Sequence, residues 1–487
     1  MLKPKVNELD LTAAPASAPA TPRIIPRAEH SISRSGISPN ALRVLYRLRD
    51  GGFQAFLVGG CVRDLLLGLA PKDFDVATDA LPEQVRKLFR NCRLVGRRFR
   101  LAHVFFGQET IEVATFRAAS APALGDEPMP DADPEEGEAP EIDEPLVSEL
   151  LGAPDESERA FDSTGRILRD NVYGSIDADV WRRDFTANAL YYNIADFSVW
   201  DYVGGAEDIA ARTLRLIGDP ETRLREDPVR MLRAARFEAK LGFHLDPATA
   251  APIPALRELL AGVPSARLFD ETLKLLLAGH GARSLEVLRG RGLLQVLLPT
   301  VDAYLRTHPG SLVERLLMQG LRNTDARVLA GKAVTPTFLF ALLLYGPVAQ
   351  IIESLPPEHW HELTTILDAC DRALKQAQAH VAIPRRFALG VREMFALQPR
   401  LEHPRGRRAL RVLEHPRFRA AYDLLLLRAE HGLAPREMAE WWTRIQEVSP
   451  PERAEMADAL AGPGGRREGA RRGPRRRRRG RRPASPV

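Results

Sequence analysis

Two acids separated by one residue, Asp73 and Asp75 in Lys72-Asp73-Phe74-Asp75-Val76, are the plainest candidates for chemistry in this chain. In an extended strand both carboxylates share one face, while Phe74 and Val76 anchor the other. Like charges held this close call for a cation between them. Two Mg²⁺ ions about 3.5–4 Å apart would activate a hydroxyl and stabilise a departing pyrophosphate. An isolated D-x-D is as readily a solvated strand face, but this one follows Phe56-Leu57-Val58-Gly59-Gly60-Cys61-Val62-Arg63-Asp64. That stretch predicts a strand running into two glycines and then a helix. Backbone amides at Gly59 and Gly60 could approach a phosphate without interference from a Cβ, and Arg63 could add a bidentate clamp.

Two later clusters supply further charge. Arg182-Arg183-Asp184-Phe185-Thr186-Ala187-Asn188-Ala189-Leu190 contributes Arg183 and Asp184. In Arg225-Glu226-Asp227-Pro228-Val229-Arg230-Met231-Leu232-Arg233, Asp227 before Pro228 predicts a helix start, with Arg230 and Arg233 three apart on one face. Such a face could also be only a solvated basic stripe. Glu112, pointing outward on the strand predicted over Ile111–Phe116, could be brought beside Asp73 and Asp75 by strand pairing.

These residues need a frame to hold them. From about residue 38 to 200, apolar runs of strand length (Ala55–Val58, Phe74–Ala77, Ala102–Phe106, Thr110–Phe116) alternate with helical stretches near 40–50 and 81–90, which predicts a mixed α/β domain. Phe106-Gly107-Gln108-Glu109 joins two runs closely enough for an antiparallel hairpin, against a purely parallel doubly wound sheet. After about Asp219, leucines at helical spacing over Pro228–Leu241, Arg267–Leu277, Ala282–Leu288, Thr337–Leu344 and Ala420–Arg428 predict an all-helical remainder. There is no fixed-period repeat, no G-x-x-x-x-G-K-[ST] phosphate loop and no G-x-G-x-x-G fingerprint.

Composition bounds the rest. The 487 residues, 45% apolar, suffice for several cores, and three cysteines at 61, 92 and 370 suit neither a zinc site nor a disulfide scaffold. That usage predicts a reducing, cytoplasmic setting with any metal held by oxygen ligands. Apolar stretches such as Phe338–Tyr345 fall short of a membrane span, so no membrane placement is expected. The net charge of +5 conceals fourteen Asp/Glu and no Lys or Arg over 126–158, and eleven Arg with one Glu over 466–482. The acidic, Pro-rich stretch reads as a disordered insertion over 118–160 with a short helix near Pro145–Leu151, and residues 1–34 read as a flexible leader. The arginine run suits sequence-independent contact with RNA phosphates.

Over roughly residues 35–300 the chain resembles the class II nucleotidyltransferases, which comprise bacterial poly(A) polymerases and CCA-adding enzymes. The resemblance is carried by Leu57 to Asp64 with Asp73 and Asp75, by Arg182 to Leu190, and by Arg225 to Phe237. It implies a polymerase-beta-like α/β nucleotidyltransferase palm followed by an all-α neck, body and C-terminal helical region. The implied segments are a head over 35–212, a neck over 213–275, a body with an Arg-rich region over 276–462, and a disordered Arg-rich tail over 463–487. It further implies that Asp73 and Asp75 bind two Mg²⁺ ions and that Asp184 is the third catalytic acid, with Glu112 its rival. Gly59, Gly60, Arg63 and Arg183 would hold the nucleotide's phosphate and sugar. Asp227 and Arg230 would read the base, and Arg233 would reach the triphosphate. His103 is expected to be structural.

Three stretches look like the poly(A) polymerase branch: Val95–Val104, Ile111–Arg117 and Ile217–Arg223, together with the basic run Arg405–Arg411 and the tail. The expected activity is untemplated addition of AMP from ATP to RNA 3′ ends with release of pyrophosphate, promoting RNA turnover, with RNA-decay proteins as potential partners. A CCA-adding tRNA nucleotidyltransferase is the alternative.

Overall fold

In the computed structural model the described residues are 21–96, 100–118, 160–161, 167–169 and 173–460. The expected acidic insertion, its short helix and the arginine tail lie almost entirely outside them.

Twelve strands occur among the described residues: β1 (Arg23–Ile25), β2 (Ala55–Val58), β3 (Asp75–Thr78), β4 (Cys92–Val95), β5 (Leu101–Phe106), β6 (Glu109–Thr115), β7 (Ala160–Phe161), β8 (Ile167–Arg169), β9 (Leu190–Asn193), β10 (Val199–Asp201), β11 (Thr213–Leu214) and β12 (His244–Leu245). Eight form one sheet in the order β1-β10-β9-β2-β3-β6-β5-β4, and only the β3–β6 pair within it is parallel. The mixed sheet and the β5–β6 hairpin are as the sequence predicts, with Gly107 at φ 66° supplying the turn conformation a side chain resists. Arg23–Ile25, inside the stretch expected as a leader, pairs with Val199–Asp201 and closes that edge of the sheet.

The central strands are held by apolar residues on both faces, since all four residues of β2 are buried. On one face Phe56, Val58, Ala77, Phe116, Val180, Tyr191 and Ile217 form a core cluster. On the chain's first long helix, Pro39–Asp50, Ala41, Val44, Leu45 and Leu48 make the buried stripe that 3.6-residue periodicity demands. Ser38 starts that helix by accepting from the amides of Asn40 and Ala41, with Pro39 in the first turn.

The chain divides into two compact units. The first holds the sheet and the described chain to Asp302, with Thr324–Lys332 and Ala377–Ile383; the second holds the rest. The second unit is helical throughout among its described residues. Its core includes fully buried Trp442, whose indole N–H donates to the Leu401 carbonyl at 2.8 Å. Its helix Pro336–Glu353 is long and apolar enough, by length and composition, to cross a membrane, unlike the shorter run seen in the sequence. More than half of it is buried, with Gly346 tight against the Tyr304 ring and Leu342 tight against Gly320, as in a core helix.

Candidate active site

All ten residues expected to bind or react line one cavity of about 610 Å³ in the first unit: Gly59, Gly60, Arg63, Asp73, Asp75, Arg183, Asp184, Asp227, Arg230 and Arg233. Their side chains are not equally free, and the differences define their roles.

Gly59 has φ 75°, ψ −139°, a conformation open to glycine, and Gly60 begins the helix Gly60–Leu66. A Cβ at Gly59 would lie 3.6 Å from an Arg183 nitrogen and 3.7 Å from an Asp75 oxygen, so the turn separates a cation from an acid. Asp75 opens β3, and Asp73 stands just before the strand, exposed, with Phe74 buried between them. The i, i+2 spacing therefore works at the strand's entrance rather than within it.

Register places Asp75 directly opposite Glu112 on β6, and Glu112 opposite His103 on β5. Burial pushes the Asp75 carboxyl up to about 6; Glu112 and Asp73 push the same way, while Arg183 opposes them. A partly buried Asp75 with two further carboxylates beside it is an oxygen donor suited to a divalent cation. Asp184 is differently placed. Burial disfavours its charge, but Arg233, the Phe185 amide and Asn188 outweigh burial and hold it below its ordinary range. Arg233 Nε donates to Asp184 Oδ2 at 2.8 Å, and the Phe185 amide donates to Oδ1 at 2.7 Å. A carboxylate so committed is an anchor for the arginine helix, whereas Glu112 stands in register with Asp75. Glu112 does not line the cavity, and its half-exposed carboxylate lies 3.6 Å from His103 Nε2.

Arg63 is likewise engaged. It is 2% exposed, donates to Asp64 through Nε at 2.8 Å, and donates to the Asn188 side chain. It braces the double-glycine turn from below, which leaves it ill placed for the phosphate clamp expected of it. Arg183 is aimed by Tyr191, which accepts from Nε at 2.8 Å, and by Asp179 at 3.1 Å. The Ile217–Arg223 stretch also gains a purpose. Asp219 caps the helix Pro220–Glu226, and Arg223 donates to the carbonyls of Arg182 and Arg183 at 3.2 and 2.8 Å, locking the second cluster to the third.

Asp227 stands one residue before Pro228, the N-cap of the helix Val229–Leu241, and accepts from the Val229 amide at 3.2 Å. Its other oxygen pairs with Arg267 at 2.8 Å. Arg230 is 13% exposed and bonds to Glu226 Oε2 at 3.1 Å and to the Arg223 carbonyl at 2.6 Å. The two base-reading candidates are therefore held rigid from behind.

Lys72, Asn188, Arg236, Phe237, Lys240 and Arg267 also line the cavity and were not singled out from sequence. Asn188, Arg236 and Phe237 fall within the quoted stretches, and Lys240 lies one helical turn beyond Arg236. Arg267 has no local signal, because a separate helix, Ser265–Leu276, delivers it.

The Arg233–Asp184 pair yields a prediction. Removing one partner of a buried pair costs about 3–5 kcal/mol, and Arg233, at 35% exposure, belongs at the lower end. Arg233→Met should thus lower unfolding stability in urea by about 3 kcal/mol, and adding Asp184→Asn should restore more than half of it. A loss under about 1 kcal/mol in the single variant would mark the pair as surface-like.

A mixed sheet bearing paired acids beside a double-glycine turn, followed by an arginine-bearing helix at the same cavity, defines a nucleotidyltransferase. Comparison with known proteins narrows the class. Residues 55–215 match the family described as poly A polymerase head domain, 242–305 the probable RNA and SrmB-binding site of polymerase A, and 358–483 the polymerase A arginine-rich C-terminus. The chain is 48% identical to poly(A) polymerase I of Salmonella typhimurium over 90% of this chain and 88% of that one. It is 47% identical, with the same coverage, to poly(A) polymerase I of Escherichia coli O6:H1. A Bacillus subtilis CCA-adding enzyme matches at 36% identity over 51% of this chain. Among solved structures, a tRNA nucleotidyltransferase complexed with a primer tRNA and an incoming ATP analog superposes with a TM-score of 0.52 at 20% identity, covering 83% of this chain and 99% of that one. The chain belongs to the bacterial poly(A) polymerase family.

Proposed function

We propose that this chain transfers AMP from ATP to the 3′-hydroxyl of RNA, releases pyrophosphate, and repeats the addition without a template. The observation that carries the reading is the convergence of Asp73, Asp75, the Gly59-Gly60 turn, Arg183 and the Asp227–Arg233 face on one cavity.

Asp73 and Asp75, with Glu112 adjoining, would hold Mg²⁺. When bound, such ions acidify the attacking hydroxyl and neutralise the departing pyrophosphate. The chain's own groups do the rest. The glycine turn lets backbone approach the phosphates, and Arg183, fixed by Tyr191 and Asp179, presents its charge beside that turn. Asp227 and Arg230, immobilised by Arg267, Glu226 and Arg223, offer a fixed acceptor and donor to the base edge.

The RNA end would arrive through a groove of about 980 Å³ that shares Asp73, Lys72 and Lys240 with the nucleotide cavity. Arg212, Lys240 and Lys274 line this groove, so a phosphate backbone leading to Asp73 passes cations along the way. A head over 35–212 and a neck over 213–275 suit these roles. We further place the enzyme in the cytoplasm, where adenylate tails would promote RNA decay.

Incubation with tRNA lacking its terminus, and separately with unstructured RNA, tests the choice of branch. Long A-only ladders on the unstructured RNA are expected. Discrete C, C, A products on the tRNA would overturn the reading in favour of a CCA-adding enzyme.

A further inference from the structure

Arg223 does not line the nucleotide cavity, yet its guanidinium joins two groups of residues that do. One nitrogen, Nη2, donates to the carbonyls of Arg182 and Arg183 at 3.2 and 2.8 Å. The other, Nη1, donates to Glu226 Oε2 at 2.7 Å, and the same carboxylate oxygen accepts from Arg230 at 3.1 Å. The backbone carbonyl of Arg223 completes the loop by accepting from Arg230 Nη1 at 2.6 Å. One side chain, 14% exposed, ties the backbone that carries Arg183 to the carboxylate that holds Arg230.

The surrounding chain fixes where that side chain starts. The Ile217 amide donates to the Asp184 carbonyl at 3.0 Å, and Leu216 bridges Phe185 in antiparallel fashion, which laces this segment to the second cluster. Gly218 follows at φ 83°, a conformation strained for any side chain, and a Cβ there would stand 3.7 Å from Arg223 Cδ. Asp219 then caps the helix Pro220–Glu226 by accepting from the Thr222 amide at 2.8 Å. Arg225 on the same helix is the contrast: it pairs with Glu221 at 2.6 Å, and both side chains are more than half exposed.

A guanidinium donates in several fixed directions at once, so its partners move together or a bond breaks. A lysine ammonium could serve the two carbonyls or Glu226, but a single nitrogen does not reach both as the fork does. We propose that Arg223 is a positioning residue that sets nucleotide choice, by coupling Arg183 on the phosphate side to Arg230 on the base side. The base is then read from a frame fixed on the phosphates. The inference rests on the reading above for the parts assigned to Arg183 and Arg230.

The experiment measures kcat and KM for RNA-primed incorporation of each of the four nucleoside triphosphates. The proteins compared are the natural chain, Arg223→Met, Arg223→Lys, Arg225→Gln, Arg230→Met and the Arg223→Met, Arg230→Met double variant. In Arg223→Met, kcat/KM for the preferred nucleotide should fall on the order of a hundredfold and for the other three about tenfold. A displaced Arg183 weakens all four, whereas a displaced Arg230 weakens the preferred one alone. The preference therefore compresses about tenfold. Arg223→Lys should compress it nearly as much despite keeping the charge, and it carries the same reading if the Met variant does not fold. Arg225→Gln should match the natural chain. The double variant should show the preference of Arg230→Met and no further compression, because Arg223 acts on the base only through Arg230. Binding of tripolyphosphate, which has no base, should weaken about tenfold in Arg223→Met. Equal losses for all four nucleotides in a variant that melts like the natural chain would overturn the proposal, as would unchanged tripolyphosphate binding or further compression in the double variant. The identity of the preferred nucleotide is read from the natural chain alone, so failure of the adenylate reading shows there, and failure of this proposal shows in the variants.

Discussion

Replacing Asp75 by Asn should abolish AMP incorporation, by at least about a thousandfold, while stabilising the metal-free protein at neutral pH. The first effect follows from losing one of the charges that would grip the cation, at the upper end of what a single preorganised electrostatic group supplies. The second follows from the perturbed carboxyl. Its folded value of about 6 lies above its ordinary 3.8, so between those values the folded chain holds a proton that the unfolded chain has released. Stability from this group therefore falls as pH rises through about 4 to 6, and the whole penalty is present above 6. Asn carries no charge and escapes it, so metal-free Asp75→Asn should gain up to roughly 3 kcal/mol at pH 7.5, with the gain shrinking toward pH 4. Thermal melts at both pH values, with and without Mg²⁺, read this out. Added Mg²⁺ should raise the Tm of the natural chain and leave that of the variant nearly unmoved. A variant that is both inactive and less stable at pH 7.5 would show that Asp75 is a structural residue.

Arg230→Met should erode nucleotide choice. The guanidinium of Arg230 is fixed by Glu226 and the Arg223 carbonyl, so on the proposed function its free edge would meet the base without further ordering. Hydrogen bonds to charged groups contribute about 1.5–3 kcal/mol, so kcat/KM for ATP should fall between tenfold and about a hundredfold. The values for GTP, CTP and UTP should fall far less, which compresses the preference by the same factor. Equal losses for all four nucleotides would assign Arg230 to the scaffold with Glu226 and Arg223.

Much of this site was legible in the sequence because its parts are local. The helix start at Asp227-Pro228 and the double glycine before a helix each follow from short-range geometry and are found in place, while the strand predicted around Phe74 begins only at Asp75. What escaped depends on tertiary partners. The motif identifies Arg63 and Asp184 as charged, but only the folded chain shows Asp64, Asn188 and Arg233 absorbing those charges. That Glu112 stands opposite Asp75 rests on strand register, which no local pattern encodes. Arg267 lies forty positions from the Asp227 it pairs with, on a helix whose sequence reads only as amphipathic. The strand Arg23–Ile25 sits next to a Pro- and Ala-rich stretch, and its pairing with β10 is a property of the completed sheet edge.

The central claim is that this cavity joins adenylate, and little else, to RNA ends. Purified protein supplied with Mg²⁺, an unstructured RNA primer and each of the four nucleoside triphosphates in separate reactions tests it most directly. The account predicts a long ladder with ATP and at most a few additions with GTP, CTP or UTP. Tails of comparable length with CTP, or no extension with ATP, would contradict it.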